Sequence, residues 1–249
     1  MTKLEAAIDE LVTANRILAR EGVVDSFGHP SIRHPDRPDR FLLSRARAPD
    51  LIEAEDIMEF TFNGDPVEGG DKKPYLERFI HAAIYDARPE VNAVIHNHSP
   101  SVLPFSVTKK SRLRPLHHVC ACMGHEVPTW DSQTEFGDTS LLVATLEMGR
   151  DLAKFLGPKP AALMRGHGCV VVGKDIREAV YIACYLELAA KLQMQAMDLG
   201  EVTYLTPGEV DLIIRRTGPY SFNRAWENWC RRAGRVMLER PDEVVRLMS

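Results

Sequence analysis

The sequence has no long apolar run and no excess of basic charge. Its 249 residues include 31 basic and 35 acidic side chains, which give a formal net charge of −4. Nucleic-acid and membrane surfaces are usually bound by clustered basic residues, so we expect neither kind of partner. No apolar stretch approaches the roughly 20 residues that are needed to span a bilayer. The composition is typical of a soluble globular protein.

Cysteine is scarce, and the number of cysteines is odd. Five are present, and residues 1–22 show the spacing of an amphipathic helix instead of the charged head and apolar middle of a signal peptide. Both features favour reduced thiols and a cytoplasmic location. Cys120 and Cys122 form a CxC pair, which is a weak indication of a metal site when no second thiol pair lies nearby. We expect both to be small apolar residues of the core.

Internal repeats, low-complexity tracts and a convincing linker are also absent. The hydrophobic periodicity and the turn residues predict a series of short strands and helices. In chain order these are a helix ending near Gly22, strands near 31–34 and 41–44, a strand pair turning at Asn63-Gly64, a helix over 74–88, a strand over 91–96, a short helix over 99–107, a strand over 126–130, a helix over 139–155, two strands within 161–173, a helix over 175–200 and a capping box from Thr206 to Glu209. We expect one α/β catalytic domain over residues 1–205, with residues 206–249 as its C-terminal helical extension.

Two histidines one residue apart follow a buried strand. In "VIHNHSP", residues 94–100, His96 and His98 point to the same side because strand residues two apart share a face. A third histidine, His167, lies between two apolar strand segments and is flanked by glycines, which let the backbone turn sharply. Three neutral imidazoles at strand ends are a standard ligand set for a divalent cation with an open position. A structural, hydrogen-bonded role is the alternative for each histidine taken alone.

A carboxylate and another histidine lie just before the HxH strand. Glu77 is predicted one helical turn ahead of His81, so that both face the same side. Glu77 is the candidate fourth ligand or acid/base group, and a solvated residue paired with an arginine is its alternative. His81 is better suited to supporting a ligand than to binding metal. For His117, His118 and His125, near the CxC pair, a loop or interface role explains the sequence at least as well as a metal site.

The stretch "YLERFIHAAIYDARPEVNAVIHNHSP", followed further along by "LMRGHGCVVVG", resembles the class II aldolase/adducin family. The resemblance runs from the first helix to about residue 205. It implies a three-layer α/β/α fold with a central, mainly antiparallel sheet. It also implies a divalent metal on His96, His98 and His167, with Glu77 as the acid/base group and in some members a fourth ligand. Adducin-like members that lack these histidines are non-catalytic, whereas this chain has all of them.

The pocket residues depart from those of the family's sugar-phosphate aldolases. Small residues that hold phosphate in those enzymes are replaced here by an imidazole, guanidinium groups and an aromatic ring. The replacements are Gly28-His29, Ser44-Arg45 and Tyr75-Leu76, with Arg47 close by. Arginine binds carboxylates in a bidentate manner, and an aromatic ring suits a flat substrate. The combination resembles the family's decarboxylase branch, which includes 3-hydroxy-2-methylpyridine-4,5-dicarboxylate and 3,4-dihydroxyphthalate decarboxylases.

We therefore predict a metal-dependent, non-oxidative decarboxylase of an ortho-hydroxylated aromatic carboxylate or dicarboxylate in a catabolic pathway. His29 assists the reaction or holds a carboxylate, and Arg45 or Arg47 anchors a carboxylate that is retained, while Ser44 and Tyr75 line the pocket. Surface salt bridging is the alternative for the two arginines. We expect manganese, with zinc or magnesium as alternatives, and no organic cofactor. An aldolase or dehydratase acting on a non-phosphorylated hydroxy acid, and an adducin-like interaction module, remain open.

The resemblance also implies a symmetric homo-oligomer, a tetramer or higher, with its sites at subunit interfaces. The segment 219–232 carries four aromatic residues, Tyr220, Phe222, Trp226 and Trp229. Two explanations are open for this cluster. It packs on the core of its own chain, or it caps the active site of a neighbouring subunit, since aromatic residues are enriched in interface cores.

Overall fold

The structure is a computed structural model that describes residues 1–68 and 70–238. Within these residues seven strands form one sheet, in the order β3-β2-β1-β4-β7-β6-β5. The strands are β1 (His29–Arg33), β2 (Arg40–Ser44), β3 (Ile57–Thr61), β4 (Ala93–Asn97), β5 (Thr129–Trp130), β6 (Ala161–Met164) and β7 (Gly168–Gly173). Every neighbouring pair is antiparallel except β5 and β6, which are parallel.

Helices cover both faces of the sheet. They are α1 (Lys3–Arg20), α2 (Arg78–Ala87), α3 (Leu103–Val107), α4 (Gln133–Phe136), α5 (Leu146–Leu156), α6 (Ile176–Leu199), α7 (Pro207–Arg216) and α8 (Pro219–Arg232). The longest helices, α1 and α6, pack with α8 on one face, and α2 and α5 pack together on the other. The predicted three-layer α/β/α fold with a mainly antiparallel sheet is confirmed. No helix in the described ranges combines the length and the apolar character needed to cross a membrane.

The alternation of side chains along each strand divides the core into two parts. In β4, Ala93 and Ile95 belong to the core beneath α1 and α6, while Val94 belongs to the core beneath α2 and α5. His96 is two residues after Val94 and therefore lies on the α2 side of the sheet. In β1, Ser31 is the partner of Val94 and His29 is the partner of His96. The α2 face of the central strands thus carries the polar residues.

Two helices begin later than their periodicity predicts. The helix predicted over 74–88 starts at Arg78, because Pro74 forms an isolated β-bridge with Arg45 and Glu77 occupies the N-cap position. The helix predicted over 139–155 starts at Leu146, with Thr145 as its side-chain cap. Residues 139–145 form a loop in which Leu141 has a φ of 65°, and such a conformation cannot continue a helix.

Most of the remaining elements agree with prediction at shifted bounds, whereas α4 lies outside every predicted element. The strand predicted after the Asn63-Gly64 turn is reduced to an isolated bridge between Phe60 and Pro66, and the strand predicted over 126–130 is reduced to Thr129–Trp130. Both corrections have one cause, since proline lacks the N–H that a continuous ladder requires.

The C-terminal extension packs on the same core as α1 and α6. The predicted capping box is present, because Thr206 accepts from the backbone of Glu209 and the Glu209 side chain accepts from the backbone of Thr206. Trp226 and Trp229 are buried in that core, and Phe222 packs against it, whereas Tyr220 is exposed. The aromatic cluster therefore packs mainly on its own chain. Residues 239–249 of the predicted extension lie outside the described residues.

The cysteines agree with the expectation of small apolar residues. Cys120 is buried in the core beneath α6, and Cys122 packs against it. All five thiols are free. Burial raises the pKa of the Cys120 thiol to about 12, which keeps it protonated.

Gly149 provides a test of how closely α5 packs on α2. A Cβ at this position would lie 2.3 Å from the carbonyl oxygen of Phe79 in α2. We expect Gly149→Ala to push the helices apart and to lower the free energy of unfolding by about 1–3 kcal/mol. Gly208→Ala is the matched control, because nothing lies within 4 Å of its added carbon. Urea denaturation measures both, and equal effects would contradict the packing described here.

Candidate metal centre

The pairing of β4 with β7 brings the three candidate histidines together. Asn97, at the end of β4, lies opposite Cys169, next to the start of β7. This close approach requires glycine at position 168, since a Cβ there would lie 2.2 Å from the carbonyl oxygen of Asn97. His167, just before β7, is therefore held beside His96 and His98.

Four side chains converge at this point. Glu77, His96, His98 and His167 each offer one ligand atom, and these atoms all lie within 4.8 Å of one another. Nε2 of His96 is 3.1 Å from Nε2 of His98, and Oε2 of Glu77 is 3.5 Å from Nε2 of both His96 and His167. Ligand atoms bonded at about 2.1 Å to one ion are roughly 3.0–3.4 Å apart in octahedral or tetrahedral geometry. The spacing and the donor set fit a divalent metal.

The hydrogen bonding of His96 supports the same assignment. Its Nδ1 lies 3.1 Å from the carbonyl oxygen of Cys169, which can only accept. His96 therefore carries its proton on Nδ1 and has a lone pair on Nε2, the atom that faces the other three ligands. Burial, together with the charges of His96 and His167, lowers the pKa of His98 to about 4, so His98 is neutral near pH 7. Neutral imidazoles are the form that binds metal.

Glu77 is held in place by a backbone N–H from the loop that precedes α5. Its Oε1 accepts from the N–H of Val143 at 3.0 Å, while its Oε2 faces His96 and His167. Burial by itself would raise the pKa of Glu77, but the neighbouring imidazoles of His96 and His167 hold it well below its usual range. Glu77 is therefore a carboxylate near neutral pH. It can serve as a ligand or accept a proton.

His29 lies beside the metal ligands without being one of them. Its ring centroid is 5.2 Å from that of His96 and 4.3 Å from that of Tyr75. Burial and the nearby imidazoles of His81 and His96 hold the pKa of His29 well below its usual range, so the ring is neutral. His81 is not part of the four-residue cluster, and its Nε2 is 2.7 Å from Nδ1 of His29. It supports His29, a partner that the sequence did not indicate.

The two candidate arginines share one carboxylate. Nε of Arg45 is 2.5 Å from Oδ1 of Asp56, and Nη1 of Arg47 is 2.8 Å from Oδ2. Burial raises the pKa of Asp56, but the two guanidinium groups and a backbone N–H outweigh burial and lower it to about 2. One positive charge is left over, and each arginine side chain remains about one third exposed, at 37% and 34%. The salt bridges to Asp56 thus use one nitrogen of each guanidinium, and the other nitrogens are available to bind a ligand.

Tyr75 connects the arginines to the metal centre. Its hydroxyl donates a short hydrogen bond to the backbone carbonyl of Arg47, while its ring contacts His29. Ser44 is buried at the end of β2, next to Arg45. The residues predicted to bind substrate therefore lie along one path from Asp56 to the metal ligands.

Sequence reasoning missed two contributors and left a metal role open for three other histidines. Val143 acts through its backbone N–H, which leaves no residue-type signature, and Asp56 lies in a short 3-10 helix (Ala54–Asp56) with no motif around it. His117, His118 and His125 lie outside the four-residue cluster, and His125 instead pairs with Asp211 at 2.8 Å.

Comparison with known proteins gives consistent results. The family profile described as class II aldolase and adducin N-terminal domain matches residues 9–194. The decarboxylase tropJ of Talaromyces stipitatus is 34% identical over 243 residues, covering 88% of this chain and 91% of that protein. The 3,4-dihydroxyphthalate decarboxylase of Arthrobacter keyseri is 27% identical over 205 residues, covering 78% and 80%. The solved structure of L-fuculose 1-phosphate aldolase from Glaciozyma antarctica matches 94% of this chain and 93% of its own, with a TM-score of 0.74 and 25% identity.

Replacing the histidine ligands tests the centre directly. We expect His96→Ala, His98→Ala and His167→Ala to weaken metal binding by at least about 100-fold, because even residues that only support a ligand account for 10- to 100-fold. Metal content after gel filtration, measured by mass spectrometry, reports this independently of activity. His125→Ala, at an exposed position outside the cluster, should keep its metal. Full metal content in any of the three variants would exclude that histidine as a ligand.

Proposed function

Because the chain belongs to the class II aldolase and adducin family, we propose that it catalyses the metal-dependent, non-oxidative decarboxylation of an ortho-hydroxylated aromatic carboxylate or dicarboxylate. The chain is an enzyme of the lyase class, as are the decarboxylases and the aldolase to which it is similar. One observation carries the proposal. A complete cluster of three histidines and a glutamate is connected, through His29 and Tyr75, to a pair of arginines that one aspartate only partly neutralises.

The residues of the metal centre have different roles in the reaction. A divalent ion on His96, His98 and His167 would supply the positive charge that stabilises the electron pair left behind when carbon dioxide departs. Glu77, ionised and fixed by Val143, takes the proton of the substrate's ring hydroxyl on Oε2. It then returns that proton to the ring carbon from which the carboxylate has left. The ring oxygen regains a proton from water as the product leaves, so the overall change replaces a carboxylate on the ring with hydrogen and releases carbon dioxide.

The pocket residues match an aromatic acid. The unused guanidinium nitrogens of Arg45 and Arg47 present planar donors that fit a carboxylate lying in the plane of a ring. The ring of Tyr75, held against His29, provides a flat apolar wall. His29 donates to a carboxylate oxygen, and Ser44 adds a hydroxyl to the same pocket.

We propose manganese as the metal, with zinc or magnesium as alternatives, and no organic cofactor. Three imidazoles suit zinc, whereas a substrate that chelates through oxygen favours manganese or magnesium. A second candidate function is an aldolase or dehydratase on a non-phosphorylated hydroxy acid. It would use the same metal ligands, and the similarity to an L-fuculose 1-phosphate aldolase favours aldolase chemistry, although that enzyme is named for a phosphorylated substrate. An adducin-like module would have no need of the complete ligand set.

We also propose that the protein is a cytoplasmic homo-oligomer, a tetramer or higher, in a catabolic pathway. Members of the family are often oligomeric, and five free thiols suit a reducing compartment. The proposed partners are the small aromatic acid and further copies of the chain, without nucleic acid or membrane.

Release of carbon dioxide tests the proposal. The purified, manganese-loaded protein is assayed against hydroxylated benzoates, phthalates and pyridine carboxylates, with L-fuculose 1-phosphate as the aldolase substrate. We expect turnover of at least one ortho-hydroxylated aromatic acid. This turnover should be lost when a chelator removes the metal. Faster cleavage of the sugar phosphate than of every aromatic acid would favour the aldolase.

Glu77→Gln separates proton transfer from metal binding. The amide keeps the size of the side chain but cannot accept a proton, so kcat should fall by a factor on the order of 10² to 10⁴ while metal content is unchanged. Glu126→Gln, at an exposed position, is the control. If excess manganese restores kcat in Glu77→Gln, the residue acts as a ligand instead.

The arginine pair determines the preference for a second carboxylate. Loss of one bidentate contact to a charged group costs roughly 2–5 kcal/mol, so Arg45→Ala or Arg47→Ala should raise KM for a dicarboxylate at least about 30-fold. KM for an analogue without the retained carboxylate should change much less. Arg37→Ala, which removes an arginine paired with Glu59, provides the comparison. Equal effects on the two substrates would mean that neither arginine contacts the retained carboxylate.

A further inference from the structure

The side chains of four buried polar residues form a hydrogen-bonded series, the polar chain, that starts beside the metal centre. Nδ1 of His29 is 2.7 Å from Nε2 of His81, and Nδ1 of His81 is 2.6 Å from Oγ of Ser31. The same Oγ is 2.8 Å from the hydroxyl of Tyr85. None of the four residues is more than 2% exposed. Because buried polar groups are costly unless they are hydrogen-bonded, the protons must be distributed so that each contact is made.

The direction of the outer bonds follows from the distances. Within residues 1–68 and 70–238 the backbone of Val94 acts on the hydroxyl of Tyr85 as a donor, and the acceptor for that hydroxyl is Ser31, so Tyr85 donates to Ser31. Ser31 then has one proton to give, either to His81 at 2.6 Å or to the carbonyl oxygen of Val94 at 3.4 Å. The second distance exceeds the roughly 2.5–3.0 Å of an O–H···O bond. Ser31 therefore donates to Nδ1 of His81.

The remaining protons are fixed in turn. A neutral imidazole carries one proton, so His81, which accepts at Nδ1, carries it on Nε2 and donates to Nδ1 of His29. His29 consequently carries its own proton on Nε2. In the part of the chain that the structure describes, this Nε2 has no hydrogen-bond partner, and the ring contacts both His96 and Tyr75. A free N–H is thus left on a ring that lies against the metal ligand His96 and against Tyr75.

We propose that Tyr85, Ser31 and His81 are positioning residues that hold His29 in its Nε2–H tautomer, and that this N–H donates to an anionic oxygen of the bound substrate. A neutral donor stabilises developing charge without giving up its proton, and a donor fixed in advance does so without reorganisation. The identity of the acceptor rests on the proposed function. The distribution of protons along the polar chain is independent of the proposed function.

Two substitutions of equal size at His81 separate the proton pattern from packing. In His81→Gln the amide oxygen can accept from Ser31 and the amide N–H can donate to His29, as the imidazole does. In His81→Glu the carboxylate accepts from both neighbours, so His29 must carry its proton on Nδ1. We expect His81→Gln to keep kcat within about 5-fold of the unmodified enzyme. His81→Glu should lower kcat by 10²- to 10⁴-fold, a range whose upper end is the cost of the wrong histidine tautomer in a serine protease triad.

Metal content and neutron diffraction complete the experiment. Both variants should retain their metal and a cooperative thermal transition, since His81 is not a ligand. Neutron diffraction from crystals of the metal-loaded full chain in heavy water should reveal deuterium on Nε2 of His29 and on Nε2 of His81. Similar losses of kcat in the two variants, or deuterium on Nδ1 of His29, would overturn the proposal. Deuterium on Nε2 in a protein that decarboxylates no aromatic acid would support the proton pattern and overturn the proposed function instead.

Discussion

The antiparallel pairing of β4 with β1 and β7 is the constraint on which the site depends. It sets His29 opposite His96 and brings His167 beside the HxH pair, so that residues distant in sequence share one strand end. The same register puts Ser31 opposite Val94, on the face covered by α2. A slip of one residue in β4 would turn its side chains to the other face and remove both the ligand cluster and the polar chain behind it.

Charge in the site is distributed so that the carboxylates of Glu77 and Asp56 are both compensated. The carboxylate of Glu77 lies against two imidazoles and one backbone N–H, which keeps it ionised despite burial. On the other side of Tyr75, Asp56 holds two guanidinium groups and neutralises one of them. The ligand cluster thus suits a cation, whereas the arginine pair keeps an excess of positive charge that attracts an anion.

The sequence predicts most of this arrangement, and its failures have identifiable causes. The HxH pair was predictable because strand alternation is strict and local, and His167 because glycines and apolar strands surround it. The predicted start of α2 was wrong because the apolar periodicity includes Leu76, although Pro74 is engaged in a bridge with Arg45. Asp56 and the contact from Val143 depend on tertiary packing and on a backbone group, which no local spacing encodes. The His29–His81 contact joins residues 52 positions apart and likewise leaves no pattern.

The division of the core by the sheet has an evolutionary consequence. The metal ligands and the polar chain lie on the α2 face or at the strand ends, while the layer of α1, α6 and α8 is packed mainly with apolar side chains such as Leu18, Ala189 and Trp226. Substitutions in that layer alter how much folded protein a cell maintains, whereas substitutions in front of the sheet alter the chemistry. Selection can therefore act on abundance and on substrate choice through largely separate sets of positions. In a fold of this kind, substitutions that change the leaving group need not be preceded by substitutions that stabilise the protein.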